Sequence, residues 1–341
     1  MFKSKSKFKG SLVLSLVLAA TVALTACGSG QTNSKGAAIE NYPNKPIEYI
    51  VPYAAGGGVD LVARAVADAL SKEWGQPITV VNKPGGGGVT GAQYALQQAP
   101  ADGYTVLANV VSNTSMLAAG FNEPALKLDD QLFVSRIVQD APAFTVKADA
   151  EWETFNEFTE WAKQNPEQLT WTTSGVSGYS SFVAAEYMKE IGVDFNKTGM
   201  VVTKGTAESL PMIAGGDVVL GLHPISEVST MVKAGKLKIL AVQSEERSPY
   251  FPDVPTASEQ GINNLTATWW TGLSVRKGTP DDIVKKWNEA LEKITKDAEF
   301  IDKLKNMQME PSFLNTEDYN EFVNTEADYY TDLATKLGIR K

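Results

Sequence analysis

Apolar residues recur at two spacings along most of this chain. Ile47-Glu48-Tyr49-Ile50-Val51 reads as a short strand, and beyond a glycine break Leu61, Val62, Ala65, Val66, Ala69 and Leu70 follow helical spacing up to Trp74-Gly75. A strand over 78–81, a helix over 92–99 stopped by Pro100, an Asp102-Gly103 turn and a strand over 104–109 continue the series. The resulting β-α-β-α-β order predicts a parallel sheet with helices on its faces, hence an α/β fold. The middle of the chain has its own α/β pattern. It comprises a strand over 143–146, a helix over 154–163 ending near Pro166, a strand over 169–172, and a helix through Phe182, Ala185, Glu186 and Lys189. Short strands over 201–203, 218–222 and 238–242 follow. An aromatic strand over 266–275 leads to Thr279-Pro280-Asp281-Asp282, which reads as a helix start with Thr279 as its cap. Ile283, Trp287, Leu291 and Ile294 mark that helix's buried face. A last helix over 316–336 carries Tyr319, Phe322, Tyr329, Tyr330 and Leu333, whose spacing favours packing over a ligand surface.

Between the first strands and their helices lie two glycine clusters, Ala54-Ala55-Gly56-Gly57-Gly58 and Pro84-Gly85-Gly86-Gly87-Gly88. Such a junction brings backbone close to a ligand, and the helix start behind it adds unpaired N–H groups and partial positive charge. One glycine-rich turn reads equally well as an ordinary tight connection; two in successive units point to an anion cradle. Thr173-Ser174-Gly175-Val176-Ser177-Gly178-Tyr179-Ser180-Ser181 forms a third junction, with hydroxyls as well as glycines.

The first residues change the picture of where the protein works. Lys3, Lys5, Lys7 and Lys9 precede an apolar run over 12–24 that is short for a bilayer span and has the layout of a secretory signal. Cys27 is the chain's only cysteine, so no intrachain disulfide can form. Placed after Leu24-Thr25-Ala26, it resembles a bacterial lipobox. Residues 1–26 are therefore expected to be a lipoprotein signal peptide, Cys27 the lipidation site, and 27–41 a flexible tether rich in Gly, Ser, Thr, Asn and Gln. Without the four leader lysines, 27 of the 31 basic residues face 40 acidic ones, a formal charge near −13. No basic cluster exists, which argues against nucleic acid and against broad electrostatic capture of anions; any anion must be held locally. The roughly 300 residues after the tether sit at the upper end of one domain, so two lobes are expected.

Enzyme chemistry finds little support. One histidine and one tethered cysteine exclude a Cys-His pair and multi-histidine metal clusters, and there is no Gly-x-Ser-x-Gly elbow, P-loop or Gly-x-Gly-x-x-Gly spacing. No cofactor and no metal are expected.

The ordered motifs resemble the extracytoplasmic solute receptors of tripartite tricarboxylate transporters, the Bug or TctC-like family. They are Tyr42-Pro43-Asn44-Lys45-Pro46-Ile47, the glycine turns, Ala101-Asp102-Gly103-Tyr104-Thr105, Thr173-Ser174-Gly175, Lys204-Gly205 and Gly235-Lys236-Leu237. Arg247-Ser248-Pro249, Pro252-Asp253-Val254-Pro255-Thr256 and Trp270-Thr271-Gly272 complete the set. The resemblance runs from Tyr42 almost to the C-terminus. It implies a two-lobed, periplasmic-binding-protein-like fold of the type II, Venus-flytrap kind with two interlobe crossovers, near 143–146 and 268–275. Lobe one would be 42–145 plus 266–341, and lobe two 146–265. It implies a protein outside the cytoplasm, lipid-anchored on the lipobox reading of Cys27, that captures a small organic carboxylate for the membrane subunits of a tripartite transporter. A sensory receptor feeding a membrane kinase would use the same clamp and is the alternative.

By position, the resemblance puts ligand contacts at Tyr53, Ala55, Gly56, Gly57, Asp60, Gly87, Gly88, Ser174, Gly175, Ser180, Thr203, Lys204 and His223. Asp60 is better suited to bracing its turn than to touching an anion, since like charges repel. His223 stands where family members often carry aspartate, Phe182 where many carry histidine, and Met200 with Thr203 in place of a His-Val-Pro-Tyr pattern. An aspartate would suit a ligand amino group, so its replacement favours a di- or tricarboxylate. For His223 and Lys204, ligand contact and a structural role both remain open.

Overall fold

The computed structural model describes residues 41–341, which form one compact unit; the leader, Cys27 and residues 27–40 of the tether lie outside the described residues. Four segments realise the first part of the pattern: β1 (Ile47–Val51), α1 (Gly58–Trp74), β2 (Ile78–Asn82) and α2 (Val89–Gln93), the last continuing into a π turn. Helix α1 buries Val59, Val62, Ala63, Val66 and Leu70 and stops at Gly75, whose left-handed backbone lets its N–H reach the Ser71 carbonyl. β3 (Thr105–Val110) follows, and β1 pairs in parallel with β2 and β3, setting Tyr49 opposite Val80 and Val106.

After α3 (Ser115–Gly120) comes β4 (Gln131–Asp140), a long strand that the sequence pattern does not announce. One residue later, past Ala141, β5 (Pro142–Lys147) already belongs to a different sheet. The second lobe continues with α4 (Phe155–Gln164), β6 (Thr170–Thr173), α5 (Tyr179–Ile191), β7 (Gly199–Val202) and α6 (Thr206–Gly215). β8 (Gly221–Pro224), α7 (Ile225–Lys233) and β9 (Leu237–Val242) complete it. β8, β5 and β9 form an antiparallel sheet, β6 and β7 a parallel pair, and a bridge between Trp171 and Leu220 joins the two. The strand expected over 218–222 thus pairs in β8 only from Gly221, while Val218 is buried in the core beneath.

The chain returns through β10 (Trp269–Arg276), which runs antiparallel between β3 and β4. Helices α8 (Asp281–Ile294) and α9 (Ala298–Asn306), strand β11 (Glu310–Leu314) and helix α10 (Thr316–Lys336) end the chain. The large sheet has the order β11-β4-β10-β3-β1-β2. Gly272 allows its centre to close: an added Cβ would lie 2.5 Å from both the Ser135 carbonyl and the Tyr319 hydroxyl. Thr279 does not cap α8. The helix begins one residue later, at Asp281 after Pro280, because the Thr279 hydroxyl donates to the Arg276 carbonyl at 2.8 Å. The aromatic stripe of α10 packs, with Tyr319 and Tyr330 fully buried and Tyr330 set against Phe182 of α5.

The second passage between sheets is pinned by one side chain. Glu186, buried on α5, accepts from the N–H groups of Thr266 and Ala267, the Thr266 hydroxyl and the Gln243 amide, at 2.7–3.0 Å.

Candidate functional site

A cleft of about 1150 Å³ opens between the large sheet and the second lobe, lined by residues of both. Its first wall is the pair of glycine junctions. Gly57 ends the β1–α1 connection in an extended conformation and offers α1 no side-chain cap, so the first-turn N–H groups from Gly58 onward lack the usual partner. The second junction turns tightly through Gly86, Gly87 and Gly88, all at positive φ. Its internal bonds run from Gly88 N–H and Thr90 N–H to the Gly85 carbonyl and from Val89 N–H to the Gly86 carbonyl, and none uses the N–H of Gly86 or Gly87. Tyr53 stitches the two junctions by donating to the Gly87 carbonyl at 3.2 Å. Gly88 is dictated by this approach, since a Cβ there would sit 2.7 Å from the Tyr53 hydroxyl.

Asp60 lines the cleft but its carboxylate is fully engaged. Gly56 N–H (2.8 Å), the Arg64 guanidinium through two nitrogens (both 2.9 Å) and the Asn82 amide (2.9 Å) all donate to it. Burial opposes its ionisation more than any other single influence. The bonds from Arg64, Gly56 and Asn82 together outweigh that and hold the carboxyl below its usual range. Asp60 thus orients the turn, and the N–H of Gly56 is spent on it.

The facing wall comes from the second lobe. Ser174, Ser180, Thr203, Lys204 and His223 all line the cleft, whereas Gly175 does not. The Gly175 carbonyl is drawn inward by the hydroxyls of Thr173 (3.0 Å) and Ser181 (2.7 Å). The Ser180 hydroxyl is likewise committed, donating to the Leu222 carbonyl at 2.6 Å. Thr203 fastens its strand end through its N–H to Thr173 and its hydroxyl to Ser209, each 2.8 Å. Lys204 is exposed, and its backbone N–H donates to Glu208. His223 lies in the middle of β8, 5% exposed, with Nε2 3.2 Å from the Thr172 hydroxyl. Burial pushes its pKa down to about 4, so it enters the cleft as a neutral imidazole at pH 7.

Three cleft residues escape sequence reasoning. Tyr179, buried at the start of α5, has a hydroxyl without a hydrogen-bond partner among the described residues. Gln308, between α9 and β11, adopts φ 59 and buries an unpartnered Oε1. Glu227, in the first turn of α7, accepts from the Thr206 hydroxyl, and burial pushes its carboxyl pKa up against that bond. Tyr179 stands inside the hydroxyl-rich junction and was open to notice there. Glu227 reads in sequence as an ordinary acid near a helix start, and Gln308 carries no signal.

The helix starts at the cleft share a trait. α1, α5 and α6 begin after Gly57, Gly178 and Gly205 with no side-chain cap; away from the cleft α3 and α8 are uncapped too, whereas α4, α9 and α10 are capped by Thr154, Asp297 and Asn315. The start of α7 already holds an acid: Asp140, at the end of β4, accepts from Ser226 N–H at 3.0 Å, and burial pushes its carboxyl up to about 7. Uncapped first turns aimed into one cleft are suited to an anion with several acceptor oxygens.

The family model described as the tripartite tricarboxylate transporter family receptor matches residues 62–339. The UPF0065 protein in the gbd 5' region of Cupriavidus necator is 32% identical over 302 residues, which is 89% of this chain and 90% of that one. Among solved structures, one described as a periplasmic transporter superposes with a TM-score of 0.79 at 30% identity, covering 88% of this chain and 99% of its own. MatC from Rhodopseudomonas palustris with bound malate superposes with a TM-score of 0.76 at 25% identity, covering 86% and 99%.

Proposed function

Because this chain belongs to the tripartite tricarboxylate transporter receptor family, we propose that it captures a small organic di- or tricarboxylate outside the cytoplasm and presents it to the membrane subunits of such a transporter. The observation that carries this reading is the convergence of the uncapped starts of α1, α5 and α6 and of the second glycine junction on one cleft. One ligand carboxylate is held by main-chain N–H groups of Gly57, Gly58, Gly86 and Gly87. Ser174, Thr203, Lys204 and neutral His223 meet the rest of the molecule from the second lobe. Charge-assisted bonds of this kind contribute about 1.5–3 kcal/mol each, and three or four of them, less the ordering cost of closure, support roughly micromolar affinity.

Malate in the related MatC is a dicarboxylate and supports the ligand class. The family and the fold are those of solute-binding proteins, which favours capture over catalysis. The basic start, apolar run and Cys27 support export and lipid anchoring, with the described domain held at the membrane surface by residues 27–41. A thermal-shift panel of di-, tri- and aromatic carboxylates, followed by calorimetry, tests the reading. At least one di- or tricarboxylate is expected to raise the melting temperature by several degrees, and a flat response across the panel would remove the receptor assignment.

A further inference from the structure

Glu227 occupies the place where an anionic ligand is expected. It stands in the first turn of α7, and one carboxylate oxygen accepts from the hydroxyl of Thr206, the first residue of α6. The other oxygen lies 3.7 Å from where a Cβ on Gly58, the first residue of α1, would sit. A single carboxyl on the first turn of α7 thus bonds the start of α6 and lies beside that of α1, on the large-sheet lobe, and neither of these starts has a cap of its own.

We propose that Glu227 is a specificity-determining residue whose carboxyl takes up one proton from solvent when a carboxylate ligand enters the cleft, so that anion capture is coupled to protonation. This inference rests on the receptor reading above. Two carboxylates sharing one site cannot both stay ionised without strong mutual repulsion, and the weaker acid takes the proton. The surroundings make Glu227 that acid. Asp140 from β4, pushed up to about 7 mainly by burial, carries a like charge in mildly alkaline buffer, Tyr179 from α5 offers an unpartnered hydroxyl, and His223 from β8 is neutral. Asp60 is saturated by Arg64, Gly56 and Asn82, and among the described residues Lys204 is the cation lining the cleft, on its exposed side. Burial already favours the protonated form of Glu227. Once protonated, the carboxyl donates to the ligand instead of repelling it. A ligand bearing an ammonium group finds the ionised form and takes up no proton.

Calorimetric titration of the purified protein with malate, succinate and citrate, in phosphate and in Tris, counts protons because the two buffers differ in ionisation heat. The expected result is net uptake approaching one proton per bound ligand in mildly alkaline buffer, with Kd rising up to about tenfold per pH unit there. Glu227→Gln is expected to bind with uptake near zero and with a flattened pH dependence, while Asp140→Asn retains the uptake. Binding without proton uptake in the unmodified protein overturns the proposal alone, as does uptake that persists in Glu227→Gln. Absence of binding by all three acids at every pH removes the receptor reading, and this inference with it.

Discussion

His223 is the only histidine in the chain, which makes its state directly measurable. Sequence marked it by position; the burial in β8 that decides its charge, and its Thr172 partner on β6, come from the fold. With a folded pKa near 4 against 6.5 in the unfolded chain, the unfolded state binds the proton first. Stability from this group is therefore complete above about pH 6.5 and falls as pH drops towards 4, by about 3 kcal/mol in all. The Cε1–H resonance of this lone imidazole is expected to move near pH 4 in a proton NMR titration, and an apparent pKa above 6 would contradict its burial. Asp60 shows the same limit on legibility. Charge repulsion alone argued against ligand contact, but the bonds that occupy its oxygens come from Gly56, Arg64 and Asn82, the last at the end of β2.

Among the elements, strand–glycine–helix junctions were legible because each needs local chemistry only. β4 was not. Its apolar residues Leu132, Phe133, Val134, Ile137 and Val138 are interrupted by Ser135-Arg136, and Arg136 is tolerated there because Ser312 accepts two of its bonds and the Phe322 ring lies beneath it. Those partners are more than 170 residues away, beyond any local pattern. The uncapped start of α1 permits a separating experiment. Gly57 has φ −80 and ψ 168, which any residue adopts, and an added Cβ meets nothing closer than the Ala54 carbonyl at 3.9 Å. Gly57→Asp supplies the missing cap and is expected to stabilise the fold by about 0.5–1 kcal/mol. Its carboxylate takes the N–H groups proposed to hold the ligand, so carboxylate affinity is expected to fall at least about tenfold. A variant that melts higher and still binds normally in calorimetry would place the ligand elsewhere.

The whole molecule joins its two sheets at passages of unlike construction. At the first, Ala141 alone separates β4 from β5; at the second, Glu186 grips Thr266 and Ala267. A cleft of about 1150 Å³ exceeds what a four- to six-carbon acid fills. Ligand capture is therefore expected to draw the lobes together, lowering the radius of gyration in small-angle scattering by on the order of 1 Å. An unchanged radius at saturating ligand would mean that the cleft is already closed. The main-chain grip proposed for the ligand carries a consequence for descent. Peptide N–H groups are kept under substitutions that bring in no competing acceptor and leave the glycine turns their shape, so a grip of this kind would pass to descendants that keep the folding pattern. Positions such as His223, Glu227 and Tyr179 are left free to drift, and with them the diet a lineage can acquire one replacement at a time.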